Sequence, residues 1–195
     1  MYCVSEAEDI LTEIDSKFGD ADHGLTMTKI AKAISQAVAE ADGGIQSMLD
    51  AAAMAVMMLN GGSAVPLWNT WLDGMQEAAP ASDEVDVAGL KAMFAGAFTA
   101  LDEMSGAKVG DKTMMDALIP ASEAIAAYTG NDEQELFAAA AEAAIRGAEA
   151  SNSSCPSLDG RKVMAHRPLE RRTRAQLQWR IFSAGWRSSE YKQLI

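Results

Sequence analysis

Ile45-Gln46-Ser47-Met48-Leu49-Asp50-Ala51-Ala52-Ala53-Met54-Ala55-Val56-Met57-Met58-Leu59 runs without a break into Asn60-Gly61-Gly62. Alanine, leucine and methionine lose little rotamer freedom in a helix, and no β-branched run competes, so the stretch reads as one helix stopped by glycines. The pattern recurs on both sides. Apolar positions return at three- and four-residue spacing from 25 to 150, and alternating β-branched runs are nearly absent. The spacing predicts helices near 28–41, 45–59, 66–78, 87–104, 113–128 and 132–150. Between them stand short punctuating segments such as Asp42-Gly43-Gly44, Asn60-Gly61-Gly62 and Thr129-Gly130-Asn131. Links this short imply antiparallel neighbours, so the expected fold is an all-α antiparallel helical bundle or barrel. Met54, Met57 and Met58 are assigned to its core, because methionine fills irregular apolar gaps.

With 195 residues, 49% of them hydrophobic, the chain can bury the core of one domain. A net charge of -12 argues against an extended nucleic-acid surface and makes any phosphate site more suited to a metal bridge than to basic side chains. The two cysteines, Cys3 and Cys155, are too few for a disulfide framework and lack metal-ligand spacing, so a cytoplasmic location is expected. No apolar run reaches the ~18 residues of a membrane span, and no signal-peptide pattern opens the chain. The charge balance reverses near residue 150. Residues 1–150 carry 7 Lys and Arg against 25 Asp and Glu, whereas 151–195 carry 9 against 3. We therefore divide the chain into a helical domain, 1–150, and an atypical basic tail, 151–195, in which Trp179 and Trp186 stand among scattered arginines.

Gly19-Asp20-Ala21-Asp22-His23-Gly24, with Asp15 a helical turn upstream, gathers three carboxylates on a glycine-bounded bend. Hard oxygen ligands in a compact cluster without thiols suit Mg²⁺, which shares its shell with waters and substrate phosphates. The alternative is an Asp-rich turn capping the helix expected from Thr28. An EF-hand is excluded, because counting from Asp20 places Leu25 at the glycine position and Ala31 at the bidentate Glu position. Asn60-Gly61-Gly62-Ser63 offers bare amides and a hydroxyl ahead of a helix, a setting for phosphate oxygens. Gly106-Ala107-Lys108-Val109-Gly110-Asp111-Lys112-Thr113 is a second loop opening a helix; Asp111 or Thr113 suits its cap, and Met114 and Met115 could offer a soft face to a purine.

Together these segments resemble the L-subunit family of dihydroxyacetone kinases, found also as the nucleotide-binding domain of single-chain dihydroxyacetone kinases. The residues that carry the resemblance are Ile14-Asp15 through Gly24 with Met27, Gly61-Gly62 with Pro66-Leu67 and Thr70, and Gly110-Asp111-Lys112-Thr113-Met114 with Asp116 and Pro120. The resemblance implies a helical barrel binding ADP or ATP at one end through two Mg²⁺ ions held by Asp15, Asp20 and Asp22, with His23 beside them as the catalytic candidate. It implies that Gly61, Gly62 and Ser63 approach the phosphates and that Gly110, Asp111, Thr113 and Met114 flank the nucleotide. A partner subunit would hold dihydroxyacetone or a related short ketose covalently. The phosphoryl donor would be ATP or a phosphotransferase-system phosphocarrier protein that recharges bound ADP; neither nucleic acid nor membrane is implied as a partner.

Two departures stand out. Where the family tends to read Gly-Gly-Ala-Ser-Gly-Pro-Leu, this chain reads Gly61-Gly62-Ser63-Ala64-Val65-Pro66-Leu67, so an alternative function is a catalytically impaired, Mg-binding helical module that serves interaction or regulation. The family's closing Gly-Arg-Ala and glycine-rich motifs are not visible after Ala150. Permitted codons for Arg172 through Glu190, read one frame over, give His-Pro-Gly-Ala-Thr-Ser-Val-Ala-Asp-Ile-Phe-Ser-Gly-Leu-Ala-Glu-Gln and a stop, which resembles that missing ending. The expectation is a frameshift between about Ser151 and Arg161, in the gene or its record.

Overall fold

The computed structural model describes residues 8–16, 21–82 and 84–151. The described residues form seven helices and no strand: α1 Glu8–Ser16, α2 His23–Glu40, α3 Ile45–Met57, α4 Ala64–Glu77, α5 Val87–Ser105, α6 Met115–Ala127 and α7 Glu133–Ala150. The basic tail from residue 152 onward, with its proposed frameshift, lies outside the described residues.

Helix ends follow local chemistry. Asp86 opens α5 by accepting from Gly89 N at 2.7 Å, and Gly106 closes it in the left-handed region at φ 60°. Asp132 opens α7 by accepting from the amides of Gln134 and Glu135 at 2.8 and 3.0 Å. Two starts differ from the sequence expectation. The helix expected from Thr28 begins at His23, and α1 precedes it as an additional helix. Gly24 reads as a helix breaker, yet it lies within α2, where a Cβ would collide with the Glu8 carbonyl and the Thr12 hydroxyl of α1. A glycine costs helix propensity of about 1 kcal/mol, and here close packing of α1 on α2 overrides it.

Each helix packs on its chain neighbour, and α2 also packs on α4. Two apolar clusters result. Leu11, Met27, Ile30, Ala52, Val56 and Leu72 join α1 to α4; Trp71, Phe94, Leu101, Met115, Leu118 and Leu136 join α4 to α7. Trp68 touches both, so α4 is their common wall. The Phe94 ring meets Trp71 and Phe137 edge-on, each with centroids 6.0 Å apart.

The methionine assignment is corrected. Met54, Met57 and Met58 are 56%, 65% and 80% exposed, because α3 turns Ala52, Ala53 and Val56 inward instead. Small side chains suit the face between α2 and α4, and the methionines fall on the opposite side of the helix.

Candidate functional site

Alternation of direction sorts the connections by parity. Helices α2, α4 and α6 start at one end of the bundle, where α1, α3, α5 and α7 finish. The three segments singled out in the sequence, around 22, 60–63 and 106–114, therefore share that end. Two contacts tie them together. A Cβ on Gly61 would lie 3.0 Å from Thr26 Cγ2, so the glycine loop touches the first turn of α2, and Thr70 Oγ1 of α4 donates to Met104 Sδ of α5 at 3.0 Å. Three helix N-termini direct amide N–H groups and positive dipole ends to this face.

At α2 the carboxylate of Asp15, 2% exposed, reaches across from α1. Its Oδ2 accepts from Asp22 N at 3.1 Å and His23 N at 3.2 Å. Asp15 thus caps the helix from a neighbouring element, while the side chain of Asp22, the residue before the first turn, makes no cap bond. His23 is the first residue of α2 and is half-buried, as is Asp22. Ala21, between the second and third expected ligands, has φ +60°, a region that side chains other than glycine seldom occupy. Asp20 lies outside the described residues. Among the described residues no three His, Cys, Asp or Glu side chains converge. Asp15 and Asp22 bring hard oxygen donors to one helix terminus, which is the donor chemistry Mg²⁺ prefers.

At α4 the structure differs from the sequence expectation in register. The helix begins at Ala64 rather than Pro66, so Ala64 and Val65 lie in its first turn. Val65 is 7% exposed and packs toward Gly61, whose hydrogen leaves room that a Cβ, 2.7 Å from Val65 Cγ2, would take. A β-branched residue is thus accommodated as a helical core position. Gly61, Gly62 and Ser63 are exposed, nothing lies within 4 Å of where a Gly62 Cβ would be, and Ser63 makes no side-chain cap.

At α6 the 106–114 loop is held from inside the helix. Asp116, 1% exposed, accepts from Gly110 N through Oδ1 at 2.5 Å and from Thr113 N through Oδ2 at 2.9 Å. Thr113 Oγ1 accepts from Met115 N at 3.2 Å, as a cap should, whereas Asp111 accepts from Lys108 N at 2.8 Å and shapes the loop instead. Sequence reasoning gave Asp116 no role of its own. The signal was present in Thr113-Met114-Met115-Asp116, a threonine with an acid three residues on, the spacing of a reciprocal cap. Met115 is fully buried and cannot face a base; Met114 is half-buried at the helix start.

Of the three N-termini on this face, that of α2 is capped by the buried carboxylate of Asp15, while at α6 the buried Asp116 turns back to the loop amides of Gly110 and Thr113. Among the described residues no side chain caps α4. At α4 Val65 N donates to the Gly62 carbonyl at 3.2 Å and Pro66 has no N–H, so the amides offered are those of the exposed 61–63 turn, which beside aspartates suit an anion that arrives with its own cation.

The DAK2 domain family matches residues 17–169. The chain is 31% identical over 163 residues to the ADP-binding subunit DhaL of the PEP-dependent dihydroxyacetone kinase of Escherichia coli, covering 83% of this chain and 76% of that subunit. It is 32% identical over 171 residues to a D-erythrulose kinase of Mycolicibacterium smegmatis, covering 85% of this chain but 30% of that longer protein. The crystal structure of the dihydroxyacetone kinase from C. freundii in complex with AMP-PNP and Mg²⁺ shares the fold, with a TM-score of 0.67 at 23% identity over 96% of this chain and 32% of that one. The chain belongs to the DAK2 domain family, that of the DhaL-type subunits of dihydroxyacetone kinases. Its relatives are phosphotransferases or their subunits, and it spans about a third of the length of the single-chain ones.

Proposed function

We infer that this chain is the nucleotide-binding component of a dihydroxyacetone-type kinase. It takes ADP or ATP with Mg²⁺ at the end where α2, α4 and α6 begin, and passes a phosphoryl group to a short-chain ketose held by a partner subunit. The observation that carries the reading is the uncapped start of α4, set beside the aspartate-bearing start of α2. Gly61, Gly62 and Ser63 would receive phosphate oxygens on backbone amides, and Gly110, Asp111, Thr113 and Met114 would flank the nucleoside. Asp15, Asp20 and Asp22 would hold two Mg²⁺ ions, which when bound supply charge neutralisation to the phosphate oxygens. His23, first in α2, would stand beside the transferred group. The chain's work is then to position and to offset charge, as phosphoryl transfer requires.

The partner is proposed as a dihydroxyacetone-binding kinase subunit, with ATP or a phosphotransferase-system phosphocarrier as the phosphoryl source. In support, the longer relatives named for erythrulose kinase activity contain far more chain than this domain. Six apolar side chains, Leu25, Met54, Met57, Met58, Met104 and Val109, are exposed toward the same end.

Calorimetric titration with ADP, with and without Mg²⁺, tests the reading. Magnesium-dependent binding that disappears in Asp20→Ala and Asp22→Ala is expected, and ADP binding indifferent to both changes would refute it. One observation favours a second reading, the impaired Mg-binding module: Ala64 supplies no hydroxyl at the start of α4. A melting point raised by Mg²⁺ but not further by ADP would select it. For the ending of the chain, sequencing the encoding DNA tests the frameshift; an undisturbed frame lacking the displaced motif would end that proposal.

A further inference from the structure

We propose that Asp116 is a positioning residue for nucleotide binding: from within α6 it holds the 110–114 loop in the conformation that flanks a bound nucleoside. The inference rests on the nucleotide reading above and adds a residue that acts through backbone amides without touching the ligand.

Between its two anchor points, Gly110 N and Thr113 N, the loop holds a lysine in a conformation that a free chain avoids. Gly110 has φ 101° and Lys112 has φ 59°. A lysine in the left-handed region persists only where its surroundings over-determine it. Two charge-assisted bonds to a single carboxylate, at 2.5 and 2.9 Å, provide that constraint. Asp116 itself has no freedom to follow the loop. Met115, Ala117 and Leu118 around it are at most 2% exposed, and Gly147 of α7 lies so close to the Asp116 carbonyl that any Cβ there would collide. The helix is the rigid part and the loop is what it holds.

The carboxylate works as a double acceptor, which sets the chemistry of the test. Among the described residues no cation pairs with Asp116; Lys108, one of the two lysines of this loop, pairs with Asp102 at 3.2 Å. The negative charge is met by two amides and by the start of α6. An asparagine of the same shape presents one acceptor and one NH₂ donor, so one of the two loop amides would face another donor.

Mg·ADP and Mg·pyrophosphate, each titrated calorimetrically into the full chain, distinguish positioning from general loosening. In Asp116→Asn the affinity for Mg·ADP should fall about ten- to hundredfold, the scale of a lost buried charge-assisted bond. Affinity for Mg·pyrophosphate, which lacks the nucleoside, should be unchanged. Equal losses for both ligands would overturn the proposal, as would unaltered ADP affinity. Should Asp116→Asn fail to fold, Gly110→Ala leaves the carboxylate intact and penalises the conformation it enforces; the same ADP-selective loss is expected, and its absence counts against Asp116. Wild-type titrations separate the two levels of inference. A wild-type chain that takes neither ligand refutes the nucleotide reading itself, whereas one that takes both while the variants behave identically refutes only the role of Asp116.

Discussion

Asp15 and Asp22 are seven residues apart and differ in structural load: Asp15 accepts two backbone amides, whereas Asp22 makes no cap bond. Asp15 is also buried, so Asp15→Asn sets an NH₂ donor against an amide donor. That change should lower stability by about 1–3 kcal/mol in urea denaturation of metal-free protein. The side chain of Asp22 makes no cap bond, so Asp22→Ala should alter stability by no more than about 0.5 kcal/mol while removing Mg²⁺-dependent ADP binding. A large stability loss in Asp22→Ala would mean that its carboxylate is chiefly structural. This division was only half legible. The sequence offered metal ligand and helix cap as competing readings of one cluster, and the structure finds the cap at Asp15, which a local reading of the 19–24 bend could not select because it sits on another helix.

Helices, by contrast, were legible wherever local pattern and packing agree. The spacing of apolar residues in 87–104 and 132–150 predicts α5 and α7 to within a residue, and both open on side-chain caps visible as Asp86 and Asp132. It misplaces the start of α2, where Gly24 is read as punctuation although its small size is what admits α1. It misjudges α3 for a related reason: three-residue spacing identifies a face, and the face between α2 and α4 is lined by alanine and valine rather than by the larger methionines. Gly147 carries the same lesson to α7. Replacing it with alanine gains about 1 kcal/mol of helix propensity in an isolated helix. Here the new methyl would meet the Asp116 carbonyl and Pro120 Cγ, the latter at 2.7 Å, and overpacking of that kind costs about 1–3 kcal/mol. Gly147→Ala should therefore lower the urea midpoint despite better propensity. A raised midpoint would show that α6 and α7 can separate without loss.

For the molecule as a whole, what matters is that three segments distant in sequence share one end; in the sequence, only the family resemblance implied a site at one end of a barrel. It was not enough to foresee the role of α4, whose Trp71 and Leu72 enter different clusters while Trp68 touches both. A helix that serves as wall to both halves should make them unfold together. The loops of the proposed site belong to both halves as well: Asp15 and Asp22 to one, the 106–114 loop to the other, with Gly61–Ser63 at the start of the shared helix. A ligand held by all three then stabilises the whole domain, by about 2.7 kcal/mol at a concentration a hundredfold above its Kd. Tryptophan fluorescence, which includes Trp68 and Trp71 of α4, and far-ultraviolet circular dichroism should therefore report coincident denaturation curves, and Mg·ADP should shift both by the same amount. Curves that part company, or a ligand that moves only one of them, would mean that the two clusters are separate folding units and that the nucleotide contacts a single half.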